Sequence, residues 1–307
     1  MKKYSVLLLS LLLTSCNVDS SSLKIISPTG APTLAFYNHS NNVNYETNST
    51  PSNIVSMMSS SSDYDIVVID TVSGIKAIEK GAPYKLAANI TFGNFFIAST
   101  GNDENKVMDK DDTVIVFGQN QTPDLLFNYI YGNDYNVEYG TNVQVAAKCL
   151  AAGKNMITGS TVDYVFIAQP ALYTILNNKE AKTYGKASVY ANIQEEYKNK
   201  SGNSVVQASV FVNSNSDHNM VKSFLKGLEN DINDVLDNPE LIQSNINTED
   251  KATSDKYGVN FAACINLLKD NNALGLGYSK AINNKENIDK FISLFNVGET
   301  NEEIYFK

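Results

Sequence analysis

Asp65-Ile66-Val67-Val68-Ile69 and its later counterpart Asp163-Tyr164-Val165-Phe166-Ile167 decide the fold class. Each is an acidic residue followed by an unbroken apolar stretch of strand length, the pattern of a strand covered on both faces and hence of a parallel sheet. Each hands over to a helix start. Asp70-Thr71 opens a helical pattern that runs to Lys80 and stops at Gly81, and Gln169-Pro170 opens another that runs to Leu176. The same strand, cap, helix order repeats outward from these two points. Leu23 to Ser27 halts at Ser27-Pro28-Thr29-Gly30-Ala31-Pro32, before helical spacing from Thr33 to Asn38. Val43 to Glu46 precedes a helix begun at Thr50-Pro51. Strands are predicted at Tyr84 to Ile90, Asn94 to Ser99, Thr113 to Phe117, Asn136 to Tyr139 and Val205 to Val212. Helices are predicted at Val143 to Ala152, Asn219 to Leu236, Phe261 to Leu268 and Ile288 to Phe295. Alternation through both halves predicts an α/β protein of two lobes, each a mainly parallel sheet flanked by helices. The polar stretch Gly101 to Asp112 is the expected crossover. It divides the chain into a first lobe at 23–108, a second at 109–206, and a return to the first at 207–307, with hinges near Gly101 to Asp112 and Val205 to Val212.

The 307 residues carry a net charge of −9 and are 43% hydrophobic, enough for a substantial core and the wrong sign for a nucleic-acid partner. All the basic residues except two histidines are lysine, so no guanidinium fork exists in the chain. Residues 1–15 read as an export signal: Lys2 and Lys3, an apolar run from Val6 to Leu13 too short to span a bilayer, then Thr14-Ser15. Leu13-Thr14-Ser15-Cys16 resembles a bacterial lipobox, which implies acylation of Cys16, a tether over 16–22, and a chain held outside the cell on the membrane by lipid. An ordinary secretory peptide is the rival. Cys149 and Cys264 lie in apolar helical patterns and need no role beyond buried packing, and their pairing stays open.

Catalysis finds little support, because no Gly-x-Ser-x-Gly elbow, phosphate loop or zinc motif is present. No catalytic residue, cofactor or metal is therefore expected. His39 and His218 stand apart, and Asp109-Lys110-Asp111-Asp112 lacks calcium-loop spacing. A carboxylate pair such as Asp70 with Asp124 leaves an extracytoplasmic enzyme as a lesser alternative. A surface-anchored adhesin or structural lipoprotein would need repeats or a stalk, and the chain shows only the short tether.

An exported lipoprotein with two α/β lobes and a C-terminal return resembles the solute-binding proteins of ABC importers with the type II periplasmic-binding fold. Its likeness is greatest to the nitrate, taurine, sulfonate and thiamine-pyrimidine-precursor branch. The phrases that carry it are Ile26 to Phe36, Asp65 to Ile69 with Lys80 to Leu86, Gly118 to Asp124, and Asp163 to Pro170. The resemblance implies a monomer that closes on a small-molecule ligand and docks on an ABC permease. Ligands of open α/β sheets bind beyond the carboxyl ends of strands, near helix N-termini. This rule nominates Ser27, Thr29, Gly30 and Ala31 from the first loop, Asp70 and Thr71 from the second, Gln119, Gln121 and Thr122 from the third, and Gln169 from the fourth, with Asn94. For Ser27 and Asp70 a plain helix N-cap role competes, and for the Gln119 to Thr122 loop a plain surface loop. Amino-acid-binding members of the fold grip a carboxylate with arginine, and this chain has none. Amides and aromatic rings instead suit a neutral or weakly charged heterocycle, with Tyr37, Phe95 and Tyr173 near the candidate loops.

Overall fold

The computed structural model describes residues 21–39, 42, 44–101 and 107–307. The export signal and Cys16 therefore lie outside the described residues. Three β–α units start the chain: β1 (Ile25–Pro28) with the 3-10 helix Ala31–His39, β2 (Tyr45–Asn48) with α1 (Pro51–Ser56), and β3 (Ile66–Asp70) with α2 (Thr71–Glu79). β4 (Tyr84–Thr91) and β5 (Phe95–Ser99) follow. Next come β6 (Thr113–Phe117), α3 (Thr122–Tyr131), β7 (Asn136–Gly140), α4 (Val143–Ala152), β8 (Tyr164–Ala168), α5 (Ala171–Leu176), β9 (Ser188–Asn192) and α6 (Ile193–Ser201). Then come β10 (Ala208–Asn213), α7 (His218–Asp237), α8 (Leu241–Asn245), α9 (Lys251–Tyr257), α10 (Phe261–Lys269), β11 (Leu276–Lys280), α11 (Lys285–Ser293) and a 3-10 helix (Glu302–Ile304).

A 6-stranded sheet runs in the order β11-β4-β10-β3-β1-β2, and a 5-stranded sheet in the order β7-β6-β8-β5-β9. β1, β2 and β3 pair in parallel, as do β6, β7 and β8, while β10 and β5 run antiparallel to both of their neighbours. Both sheets are thus mixed, each with a returning strand inserted between strands of the opposite direction.

That insertion corrects two expectations. β5 falls within the segment assigned to the first lobe, yet it pairs with β8 (Phe95↔Ala168) and β9 (Phe96↔Asn192) in the second sheet. The chain therefore changes sheets at Phe92-Gly93-Asn94 and not at Gly101 to Asp112. The stretch reads as a linker because its sequence is polar, but it connects two strands of one sheet, its residues 102–106 lying outside the described residues. The return crossing lies at 202–207, before β10.

β3 shows why its sequence is apolar throughout. Ile66 and Val68 enter one hydrophobic cluster, Val67 and Ile69 another, and all four are essentially unexposed. Burying each contributes about 1.5–3 kcal/mol. β8 divides likewise, with Tyr164 and Phe166 on one face and Val165 and Ile167 on the other. The cluster holding Val67 and Phe166 draws side chains from both sheets. α7 lays Phe224, Leu228 and Ile232 on the first sheet. The tail does not stay there: Phe291 of α11 meets Tyr197 of α6 edge to face at 6.0 Å, and Ser204 N–H donates to Asn287 Oδ1 at 2.8 Å.

Candidate functional site

The first loop is held by backbone bonds. Gly30, at φ +105°, donates its N–H to Tyr257 O at 2.9 Å and accepts from Thr33 N–H and Oγ1. Thr29 N–H donates to Asn48 O, and its side chain lies where a Cβ on Gly258 would fall, 2.6 Å from Thr29 Cβ. Ala31 is buried. Ser27 is fully buried, its hydroxyl 2.9 Å from Tyr45 OH, so it braces the loop from inside.

β3 ends on Asp70, which caps α2 by accepting Ser73 N–H on Oδ1 at 2.9 Å. The cap role and a partly buried strand-end position are both present. Burial pushes the Asp70 carboxyl above its ordinary range, opposed by bonds from Ser73 and Thr122. Thr71 turns inward, fully buried, with Oγ1 2.6 Å from Ser209 Oγ.

From the second lobe, the loop after β6 turns through Gly118 and Asn120, both at positive φ, and is pinned by Asp124. This buried carboxylate accepts Asn120 N–H at 2.7 Å, Asn128 Nδ2 at 2.9 Å and Tyr139 OH at 3.0 Å. Asp70 and Asp124 are thus satisfied separately and form no acid–base pair through a shared bond. Gln119 and Gln121 are exposed, and no side-chain bond from Gln121 caps α3. Thr122 makes a polar contact between the lobes: its Oγ1 donates to Asp70 Oδ2 at 3.1 Å.

Asn94 and Gln169 lock the sheet-changing segment to the end of β8. Asn94 Nδ2 donates to Gln169 O at 2.8 Å and Gln169 N–H to Asn94 O at 2.9 Å. Gln169, joined by a cis peptide to Pro170, accepts Tyr173 N–H on Oε1 at 2.9 Å. Tyr173 OH in turn accepts from Asn266 Nδ2 of α10 at 3.0 Å, a second tie between the lobes at the rim. Tyr37 is buried in the first lobe, and Phe95 packs on Phe117 and Phe166 at 6.2 and 5.5 Å, so of the three nominated rings only Tyr173 faces the junction.

Gln207 was not anticipated. Its backbone joins the ends of β3 and β4, donating to Thr91 O and accepting from Thr71 N–H, both at 3.0 Å. The strand it was assigned to begins one residue later, at Ala208, whose register partners are Asp70 and Thr91. Among the described residues, Gln207 Oε1 and Asn94 Oδ1 are buried acceptors with no donor.

Two open concavities lie elsewhere. One of about 540 Å³ is bordered by Val55, Met58, Lys76 and Lys80, the other of about 470 Å³ by Lys85, His218 and Phe306. Neither is lined by a candidate residue. No group of three or more His, Cys, Asp or Glu side chains among the described residues could hold a metal ion. His39 packs among Phe36, Tyr45 and Phe224, and His218 on Phe306. Cys149 and Cys264 are free, buried thiols in different clusters. No helix among the described residues is long and apolar enough to cross a membrane.

This two-sheet arrangement is the periplasmic-binding-protein fold. Solved structures similar to it include an ABC transporter protein from Parabacteroides distasonis, 18% identical with a TM-score of 0.69, covering 89% of this chain and 91% of that one. The periplasmic aliphatic sulphonate binding protein SsuA from Escherichia coli is 12% identical at a TM-score of 0.62, over 89% and 91% of the two chains. The ligand-binding component of an ABC-type import system from Staphylococcus aureus, solved with zinc bound, is 10% identical at 0.59, over 93% and 96%. At these identities the likeness establishes the fold. No family model and no curated protein matches the sequence.

Proposed function

We propose that this chain is the extracytoplasmic solute-binding component of an ABC importer. It is a monomer anchored through lipid on Cys16, and its two lobes close on a small heterocycle, neutral or weakly charged, and then dock on a permease. The observation that carries the reading is the Thr122–Asp70 hydrogen bond, made between loops at the carboxyl ends of strands in two different sheets. The neighbours' printed roles in ABC import support the same reading. Thr29, Gly30, Asn94, Gln119, Gln121 and Gln169 are its proposed contacts beside Asp70 and Thr122, while Ser27, Ala31 and Thr71 shape the loops from beneath. The ordered phrases of the sequence favour the nitrate, taurine, sulfonate and thiamine-precursor branch. No catalytic role is assigned, since the carboxylates at the junction serve as a helix cap and a loop anchor.

The test removes any bound molecule by unfolding and refolding, then exposes the protein to the low-molecular-weight fraction of a cell extract. A ligand at 100-fold its Kd adds about 2.7 kcal/mol of stability, a rise of several degrees in Tm, and small-angle scattering should show compaction. A Tm and a radius of gyration that both stay fixed across fractions would reject the reading.

A further inference from the structure

Asn94, Gln207 and Asp70, at the strand ends near the lobe junction, present acceptor oxygens. Asn94 is 5% exposed, and its amide orientation is fixed because only the Nδ2 group can face the Gln169 carbonyl. Its Oδ1 is then a desolvated acceptor with no donor among the described residues, and such a group is costly to leave unmade. Gln207 Oε1, on the residue that joins the ends of β3 and β4, is a second. Asp70, whose register partner Ala208 directly follows Gln207, is a carboxylate that accepts Ser73 N–H on Oδ1 and the Thr122 hydroxyl on Oδ2, with the Ser73 hydroxyl and Val72 N–H also acting on it. The largest influences on its carboxyl are burial, Ser73 and Thr122, and no lysine is among them. The chain holds no arginine anywhere. An oxyanion beside these groups would meet a carboxylate and two unpartnered carbonyl oxygens, whereas a ligand with several N–H donors would suit them.

We propose that the lobe junction selects a small ligand rich in N–H donors and carrying positive charge, an amine, amidine or protonated aminoheterocycle, with Asp70 taking its charge and the Asn94 and Gln207 carbonyls its remaining donors. This rests on the solute-binding reading and gives it a ligand class opposite in charge to a sulfonate.

The experiment is isothermal titration of the full chain, purified in detergent and refolded free of bound molecules, with two panels. Benzamidine, agmatine and 4-aminopyridine form the first; ethanesulfonate, nitrate and phosphate form the second. The proposal expects binding from the first panel only, weakened about 10- to 100-fold by Asp70→Asn, which removes the charge while keeping the shape. Binding from the second panel, unweakened by Asp70→Asn, would overturn the ligand class and leave the solute-binding reading intact. Silence from the first panel up to millimolar concentration also overturns the class, and the extract test above then decides separately whether the chain binds any solute. The panels use the unaltered protein, so the outcome stands even if the variant does not fold.

Discussion

Replacing Thr122 with valine isolates the Thr122–Asp70 contact that the proposed lobe closure would use. Valine keeps the branched shape of a side chain that is only 7% exposed and removes the one hydroxyl that crosses from α3 to Asp70. At 3.1 Å the bond has ordinary length, and a hydroxyl bonded to a carboxylate contributes about 1.5 kcal/mol at the lower end of the charged range. Asp70 retains Ser73 N–H, so the cap of α2 survives and each lobe should keep its own stability. If the bond exists only when the lobes are together, its energy falls wholly on the balance between open and closed forms, shifting that ratio by about tenfold. Tyr173–Asn266 is exposed at the rim and is worth less. Small-angle scattering of the Thr122→Val protein free of ligand should therefore show a larger radius of gyration, with Tm changed by no more than a few degrees. A fixed radius together with a large fall in Tm would refute the reasoning, because the bond would then belong to a static core.

Other substitutions test the scaffold. Gly74 of α2 faces Phe211, and a Cβ there would lie 2.1 Å from the ring, so Gly74→Ala should destabilise by about 1–3 kcal/mol despite the better helix propensity of alanine, and Phe211→Leu should relieve it in a double-mutant thermal melt. Asp124→Ala leaves three donors without their acceptor, so a loss of about 2–4 kcal/mol and faster hydrogen exchange at Asn120 are expected. Burial holds His39 below its ordinary 6.5, so the unfolded chain takes up its proton first as pH falls. The contribution of His39 is fully present above about pH 6.5 and is lost below it, and the fall in Tm between about pH 7.5 and 5.5 should be smaller in His39→Gln.

The sequence spoke most clearly where local signals agreed. α4 occupies the span expected of it because Asn142 caps its start and Gly153, at φ +64°, its end, and β6 likewise spans Thr113–Phe117. β9 and β11 gave no such signal. Val189 is 49% exposed on an edge strand, and Gly277 sits where a Cβ would touch the Phe92 ring at 3.0 Å, so both strands owe their order to a neighbour far away in the chain. The crossing from β4 to β5 was invisible for the same reason, since three residues between two apolar runs look like a hairpin. Only the pairing of Phe95 with Ala168 separates them.

At the site, Asp70, Thr122, Asn94 and Gln169 were legible as polar residues at the ends of apolar strands. Ser27, turned inward by the pleat of β1, and Thr71, on the first turn of α2, are buried instead, a difference composition does not show. Gln207 was hidden inside a run of apolar residues that proved to be the crossing itself.

Native mass spectrometry of the full chain, isolated in detergent without refolding, tests the central claim most directly. The account predicts one small molecule per chain, released on unfolding and present at lower occupancy in the Thr122→Val protein. A chain that carries no molecule under any isolation condition, and gains none from a cell extract, would contradict it.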